Sequence, residues 1–391
     1  MATMLAALRS FASVLVPGIT LAATLTGCFG GGGKDAPPPA GQDVEITDGD
    51  EPDETGGDET TTPPPDDEPV VETEDEPQDA GPCAKVATFT FTKSGDTKIA
   101  SIDGEPVAWF TQGGYSVRMI GASRTFDAGD KSVATVTTTS WVRTLSEPFD
   151  MEKTSETMLS AWLNAARGVN CDAGTTDVLA ISYDYVEGGS EDARYALGAD
   201  FHDFLGIDWD PIDALKILPD LGFEGALDCS GYMRLVWGSR TNFTFEGKDA
   251  SIPLSLKSLT GHLPRSSEDM YRSGTGKIIV PFRTQPAGAP SFQGAPTTTE
   301  LASIEPGDLV FFDTSCNYAI ATAILCGKNP SAISHVGMFV GRDSGGNYRF
   351  ISSRTTANGP TVGNTGGWSI FNGGVDGTGS YPQRFRGARR I

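Results

Sequence analysis

An α+β fold with an antiparallel sheet is what this 391-residue sequence predicts, and the order of its segments is the reason. Helical spacing of apolar residues comes first, over 151–167 and 176–186, and glycine closes each stretch, Gly168 and then Gly188-Gly189. Short elements follow, and then β-branched and aromatic runs: KIIVPF, DLVFFD, HVGMFVG, YRFISS and FRGARR. Helices succeeded by strands, without βαβ alternation, is the pattern of segregated layers.

In chain order, the start is an address. Arg9 precedes an apolar stretch from Phe11 to Leu25, the layout of a secretory signal and too short for a spanning helix. It ends Leu25-Thr26-Gly27-Cys28, which resembles the lipobox of bacterial lipoproteins. The resemblance implies that 1–27 is a cleaved signal peptide and that Cys28 is lipidated. Several acyl chains on one residue anchor a protein stably, at about 0.8 kcal/mol per buried methylene. The expected location is therefore a bacterial membrane, facing the periplasm or cell wall. Phe29 follows the cysteine in place of a retention aspartate, which points to the outer membrane where a cell has one.

Residues 28–82 read as a disordered tether. Within 29–82 there are ten prolines, nine glycines and 18 acidic residues against one lysine, too little apolar surface to offset ordering entropy. Most of the net charge of −22 sits here; 83–391 holds 33 acidic and 27 basic residues. Without a basic surface, nucleic acid is excluded as a partner. Like charges extend the tether and hold the body off an anionic membrane.

Residues 83–150 carry the strand signals ATFTFT, AWFT, YSVRMI and VATVTTTSWVRTL, punctuated by Gly-Asp and Gly-Gly, and form a small β-rich module. From 151 the second domain begins. In its first helix Met158, Trp162 and Ala165/Ala166 form a stripe.

The chemistry is expected where Asp228-Cys229-Ser230-Gly231 opens a helical run ending at Gly238. Asp228 is a good N-cap. It places Cys229 at a helix N-terminus, where unpaired N–H groups favour a thiolate and can serve an oxyanion hole. A buried structural cysteine is the alternative for the same residues. Ser334-His335-Val336-Gly337-Met338-Phe339-Val340-Gly341 sets a histidine at a strand start. His335 can activate Cys229 as a thiolate–imidazolium pair. His202 and His262, in polar or turn-like stretches, compete for that role and read as solvated.

Asp-Cys-Ser-Gly, then Pro-Gly-Asp-Leu-Val-Phe-Phe from Pro306, then His-Val-Gly-Met-Phe-Val-Gly, in that order, resemble the NlpC-type cell-wall cysteine peptidase family. The resemblance covers roughly 175–391 and is clearest in 225–240 and 304–354. The segment GASRTFDAGDKSVATVTTTSWVRTLSEPF is also similar to one found before this domain in some exported members. The family implies a papain-like fold for 151–391, and hydrolysis of amide bonds in peptidoglycan stem peptides, often between D-glutamate and a diamino acid. Cys229 carries over as nucleophile and His335 as general base, with no metal or organic cofactor. Asp228 and Ser230 flank the pocket, where matching residues of some members meet the substrate's free amino end.

The chain departs from the family in three places. The usual third residue falls at Ser352, in Phe350-Ile351-Ser352-Ser353-Arg354. Strand alternation puts Phe350, Ser352 and Arg354 on one face and Ile351 and Ser353 on the other. With Ile351 in the core, Ser352 accepts the Nδ1–H of His335. The family's aromatic residue ahead of the cysteine has Tyr195 as its nearest counterpart. The connections 239–303 and 314–331 are longer than a minimal domain needs, and loops of this length often shape access.

Six cysteines complete the reading. With Cys28 lipidated and Cys229 a free nucleophile, Cys83, Cys171, Cys316 and Cys326 remain, an even number in an exported protein. The expected bridges are Cys83–Cys171 and Cys316–Cys326. No Cys-x-x-Cys or Cys/His spacing suggests a metal site. A bridge at Cys229 would contradict the nucleophile role. The sequence thus predicts a lipid-anchored monomeric peptidoglycan endopeptidase. Two alternatives remain: a silent wall-binding module, and an acyltransferase or amidase on the same fold.

Overall fold

The computed structural model describes residues 86–127, 135–241, 251–284, 295–314, 332–364, 369–372 and 381–391. The signal, Cys28, the tether, Cys83, Cys316 and Cys326 lie outside them. The fold is α+β with antiparallel principal sheets.

The first sheet is a meander of β1 (Thr90–Ser94), β2 (Thr97–Ile102), β3 (Glu105–Thr111), β4 (Ser116–Asp127) and β5 (Thr135–Thr144), in chain order. The β2–β3 turn uses Asp103 and Gly104, both at positive φ (51° and 86°), the geometry that matches the right-handed twist of a tight hairpin. Helix α1 (Glu156–Val169) starts at the N-cap Ser155, whose hydroxyl accepts from the Met158 N–H. Its buried stripe is Leu159, Leu163 and Ala166, packed with Phe110, Trp141 and Phe149 of the first module. Of the expected stripe, Ala166 is buried and Trp162 packs against Phe110, whereas Met158 is 64% exposed and Leu159 takes its place. Because α1 completes the core of the first sheet, a boundary at 150 would split a single packing unit.

Asp177 joins the two halves. It N-caps α2 (Val178–Tyr183), accepts from the Val142 N–H at 2.7 Å and pairs with Arg124 at 2.5 Å, with both side chains buried. On the other side, the Ile391 carbonyl accepts from the Ser116 N–H at 2.7 Å and from its hydroxyl at 2.5 Å.

A short β6 (Arg194–Tyr195) pairs in parallel with β7 (Ala226–Leu227), and α3 (Phe201–Leu205) lies between them in the chain. Helix α4 (Cys229–Arg234) runs on through a π-helical turn, Leu235–Ser239. Gly238 therefore sits inside this turn, where the Leu254 side chain covers its Cα, and is not the expected stop. Next come α5 (Ser267–Ser273), β8 (Lys277–Val280), α6 (Thr298–Ser303), β9 (Leu309–Phe312), β10 (His335–Arg342), β11 (Tyr348–Arg354), β12 (Gly359–Thr361), α7 (Tyr381–Arg384) and β13 (Phe385–Arg390). The second sheet has the order β12-β11-β10-β9-β13-β8. Helix α4 lies on β10 and β11, and Tyr232, Met233, Val336, Met338 and Ile351 close the core between them. No helix among the described residues is long and apolar enough to cross a membrane.

Candidate functional site

The site is built at the start of α4. Asp228 leaves β7 in an extended conformation and caps the helix: its Oδ1 accepts from the Gly231 N–H at 2.7 Å and from the Ser230 hydroxyl at 3.0 Å. Gly231 is required because a Cβ there would meet the Ala199 carbonyl oxygen at 2.4 Å. Cys229 is therefore the first helical residue, fully buried on the side of α4 that faces the second sheet.

Cys229 is not a free thiol. It and Cys171, the two described cysteines, are both disulfide-bonded. This corrects the expectation that Cys229 stands apart from the cystines. The count of four remaining cysteines presumed that catalysis had already reserved Cys229, and an even count alone does not say which thiols approach one another. In this form the bridge contradicts the expected nucleophile role, because a disulfide sulfur cannot attack a carbonyl; a nucleophile exists only in a reduced form.

His335 opens β10 opposite Phe312 of β9, buried on the face of the sheet that also holds Phe350 and Tyr381. Its Nε2 is 3.1 Å from the Ser352 hydroxyl. The strand alternation thus points Ser352 at the histidine, while Ile351 joins the core under α4 and Ser353 donates to the Leu227 carbonyl at 2.7 Å. The contact uses Nε2, and the expected Nδ1 is the other nitrogen. The Tyr381 ring packs 5.7 Å from the imidazole, and Arg354 lies 5.6 Å over Tyr381. Burial, with the Arg354 and Arg384 guanidiniums adding to it, pushes the His335 pKa down to about 3, so the resting imidazole is neutral.

The competing histidines are held elsewhere. His202 is buried, not solvated: it stacks on Trp209 with Nδ1 3.3 Å from Asp203. His262 bonds the Thr260 carbonyl through Nδ1 at 2.9 Å in an outer turn.

Asp228 and Ser230 are brought together beside Cys229, but both are engaged within the protein. Arg265 donates to Asp228 Oδ2 at 2.7 Å, to Asp228 Oδ1 at 3.2 Å and to Ser230 Oγ at 2.6 Å. Tyr195 reaches the same end of the fold. Its backbone N–H donates to the Asn358 carbonyl at 2.9 Å, and its hydroxyl pairs with the Thr355 side chain. Burial raises the phenol's pKa, with the Asp228 and Tyr381 charges adding to it. Beside Arg194 a cavity of about 510 Å³ is lined by Glu187, Asp192, Glu224 and Asn358.

Sequence reasoning missed Arg265 and Tyr381. Arg265 stands in Leu263-Pro264-Arg265-Ser266, where Ser266 caps α5, and a charged residue just before a cap reads as solvent-facing. Its partners are 35 and 37 residues away, so no local signal marks it. Tyr381 likewise gains its meaning only from the aromatic cluster it joins.

No family model, no curated protein and no solved structure matches the chain.

Proposed function

We propose that the chain is a cysteine endopeptidase of papain-like, NlpC-type architecture that hydrolyses amide bonds in peptidoglycan stem peptides, tethered to a membrane through Cys28. The observation that carries this is the placement of Cys229 at the start of a helix laid across the two strands that carry the hydrogen-bonded pair His335 and Ser352. Helix start, imidazole and orienting hydroxyl are the three parts that thiol-dependent acyl transfer needs.

The disulfide makes this a latent form. A dithiol reductant must first attack the bridge, release the Cys229 sulfur as a thiolate and itself end oxidised. The thiolate then adds to the scissile carbonyl. With Nε2 on Ser352, Nδ1 is the nitrogen that exchanges a proton with the sulfur and then with the leaving amine. The amine departs and leaves a thioester on Cys229. Water, deprotonated by the same nitrogen, hydrolyses the thioester to the free carboxylate and regenerates the thiol. The test is digestion of purified muropeptides by the reduced protein, with products read by mass spectrometry. New amine and carboxylate ends support the reading, and acyl transfer to an added amine would redirect it to the transferase class.

A second reading, a silent wall-binding module, is favoured by the disulfide at Cys229 and by a third residue, Ser352, that carries no charge. It predicts binding to insoluble peptidoglycan, unchanged by reduction, with no cleavage.

A further inference from the structure

A second cleft lies where β5 meets the far end of β10. β5 is the edge strand of the first sheet, and two valines on it touch glycines of the second half. Val136 packs on Gly341 and Val142 on Gly307; a Cβ at either glycine would meet the valine Cγ1, at 2.7 and 2.8 Å. Strand alternation puts Thr138 and Ser140 on the same face as these valines, between the two contacts. There a cavity of about 410 Å³ opens between the halves, within the size range of small-ligand sites. His335 starts β10, and Gly341 and Arg342 end it, so the cleft lies at the opposite end of the strand from the histidine.

The lining offers more donors than acceptors. The Ser140 hydroxyl has no partner among the described residues; the Thr138 hydroxyl accepts from the Ser140 N–H at 2.9 Å and keeps its own proton to give. On the β10 wall Arg342 is exposed and has no carboxylate partner among the described residues. It donates to the Tyr348 hydroxyl and lies over that ring, 4.3 Å from its centroid. Arg118 lies 3.4 Å over the Trp109 ring, which holds its guanidinium in place. The carboxylate of the lining, Glu305, is shared between Arg118 at 3.4 Å and Arg390 at 3.0 Å, and Arg390 also holds Asp308 at 2.8 Å. Three guanidiniums thus stand against two carboxylates, and the neighbouring Asp343 is paired with Arg349 at 2.7 Å. In a chain of net charge −22 this is a local positive excess. Guanidinium forks with hydroxyl donors opposite suit an oxyanion, which accepts at several points at once.

We propose that this cleft is a second binding site, which takes a small ligand bearing a carboxylate or phosphate group. Arg342 supplies the uncompensated charge, and Thr138 and Ser140 supply the facing donors. The site does not depend on the peptidase reading, because none of its residues belongs to the cysteine–histidine centre.

The experiment is calorimetric titration of the full chain with three probes: inorganic phosphate, succinate as the carboxylate, and sorbitol as an uncharged polyol. At least one anion should bind at a single saturable site, and sorbitol should not; the tighter of the two anions names the source of the oxyanion. Arg342→Gln should weaken that anion about 10-fold, the scale of one charge-assisted hydrogen bond. Arg342→Lys, which keeps the charge and loses the fork, should weaken it less, and it stands in should the Gln variant not fold. Arg272→Gln, at an exposed arginine outside the cleft, should leave it unchanged. Saturable binding of neither anion overturns the proposal, as does sorbitol binding as tightly as the anions. A folded Arg342 variant that binds as the wild type does also overturns it, and so does an equal loss in Arg272→Gln, since general surface charge would then be the cause.

Discussion

The two sides of the site solve opposite electrostatic problems. Around the start of α4, charge is abundant and compensated: Asp228, Asp200, Arg234 and Arg265 are tied by short contacts, and every described oxygen of Asp228 has several donors. Around His335, no carboxylate among the described residues pairs with the ring. Its partners are a neutral hydroxyl, aromatic edges and the Arg354 and Arg384 guanidiniums, which with burial hold the ring neutral. The first side is rigid scaffold that fixes where the sulfur sits. The second holds a neutral imidazole between a hydroxyl and aromatic rings, away from any compensating negative charge among the described residues.

The largest effect that sharpens this contrast comes from Cys229→Ala. It should abolish hydrolysis of muropeptides while leaving the fold intact, as judged by circular dichroism. Turnover retained in this variant would remove the peptidase reading. On the scaffold side, Arg265→Ala should destabilise the chain by about 2 kcal/mol, the scale for losing charge-assisted hydrogen bonds from a guanidinium that keeps some contact with water. Urea unfolding checks it, and a change under about 1 kcal/mol would show that the network is not structural. On the proton side, His335→Ala should lower the rate at least about 100-fold, the usual scale of general-base catalysis. The same loss in His202→Ala or His262→Ala with His335→Ala active would reassign the base.

Ser352→Ala should cost about 10-fold, the scale of one neutral hydrogen bond and the misorientation that follows its loss. An unchanged rate here, with a loss in Ser353→Ala or Arg354→Ala, would mean that the working register differs from the one described.

The depressed His335 pKa gives a pH prediction with a definite sign. Below about 6.5, the ordinary histidine value, the unfolded chain takes up a proton that the folded chain refuses until about 3. His335 therefore contributes stability that is complete above pH 6.5 and is lost as pH falls through this window. In Cys229→Ala, where no thiolate can raise it, the imidazole should stay neutral at pH 5 by NMR. An ordinary midpoint near 6.5 would contradict the comparison drawn here.

Much of this was legible in the sequence wherever the signal is local. The N-cap at Asp228, the strand start at His335 and the alternation that aims Ser352 each follow from a handful of adjacent residues. What escaped is set by distant partners. Arg265 reads as a surface charge until Asp228 is placed over it. At the start of the α1 stripe Met158 and Leu159 are both apolar, and only the facing sheet chooses Leu159, while Trp162 and Ala166 lie where the spacing puts them. The disulfide at Cys229 escaped because parity counts cysteines without placing them.

The proposed function requires a latent Cys229 thiol that, once released, performs acyl transfer with His335. Its most direct test is a time course of muropeptide cleavage by the full chain before and after a dithiol reductant, with Cys229→Ala treated alongside. Expected are no cleavage before reduction, new D-glutamyl carboxylate and diamino-acid amine ends after it, and none from the variant. Reduced wild type that binds muropeptides yet leaves them intact, or equal cleavage by the Cys229→Ala variant, would contradict it.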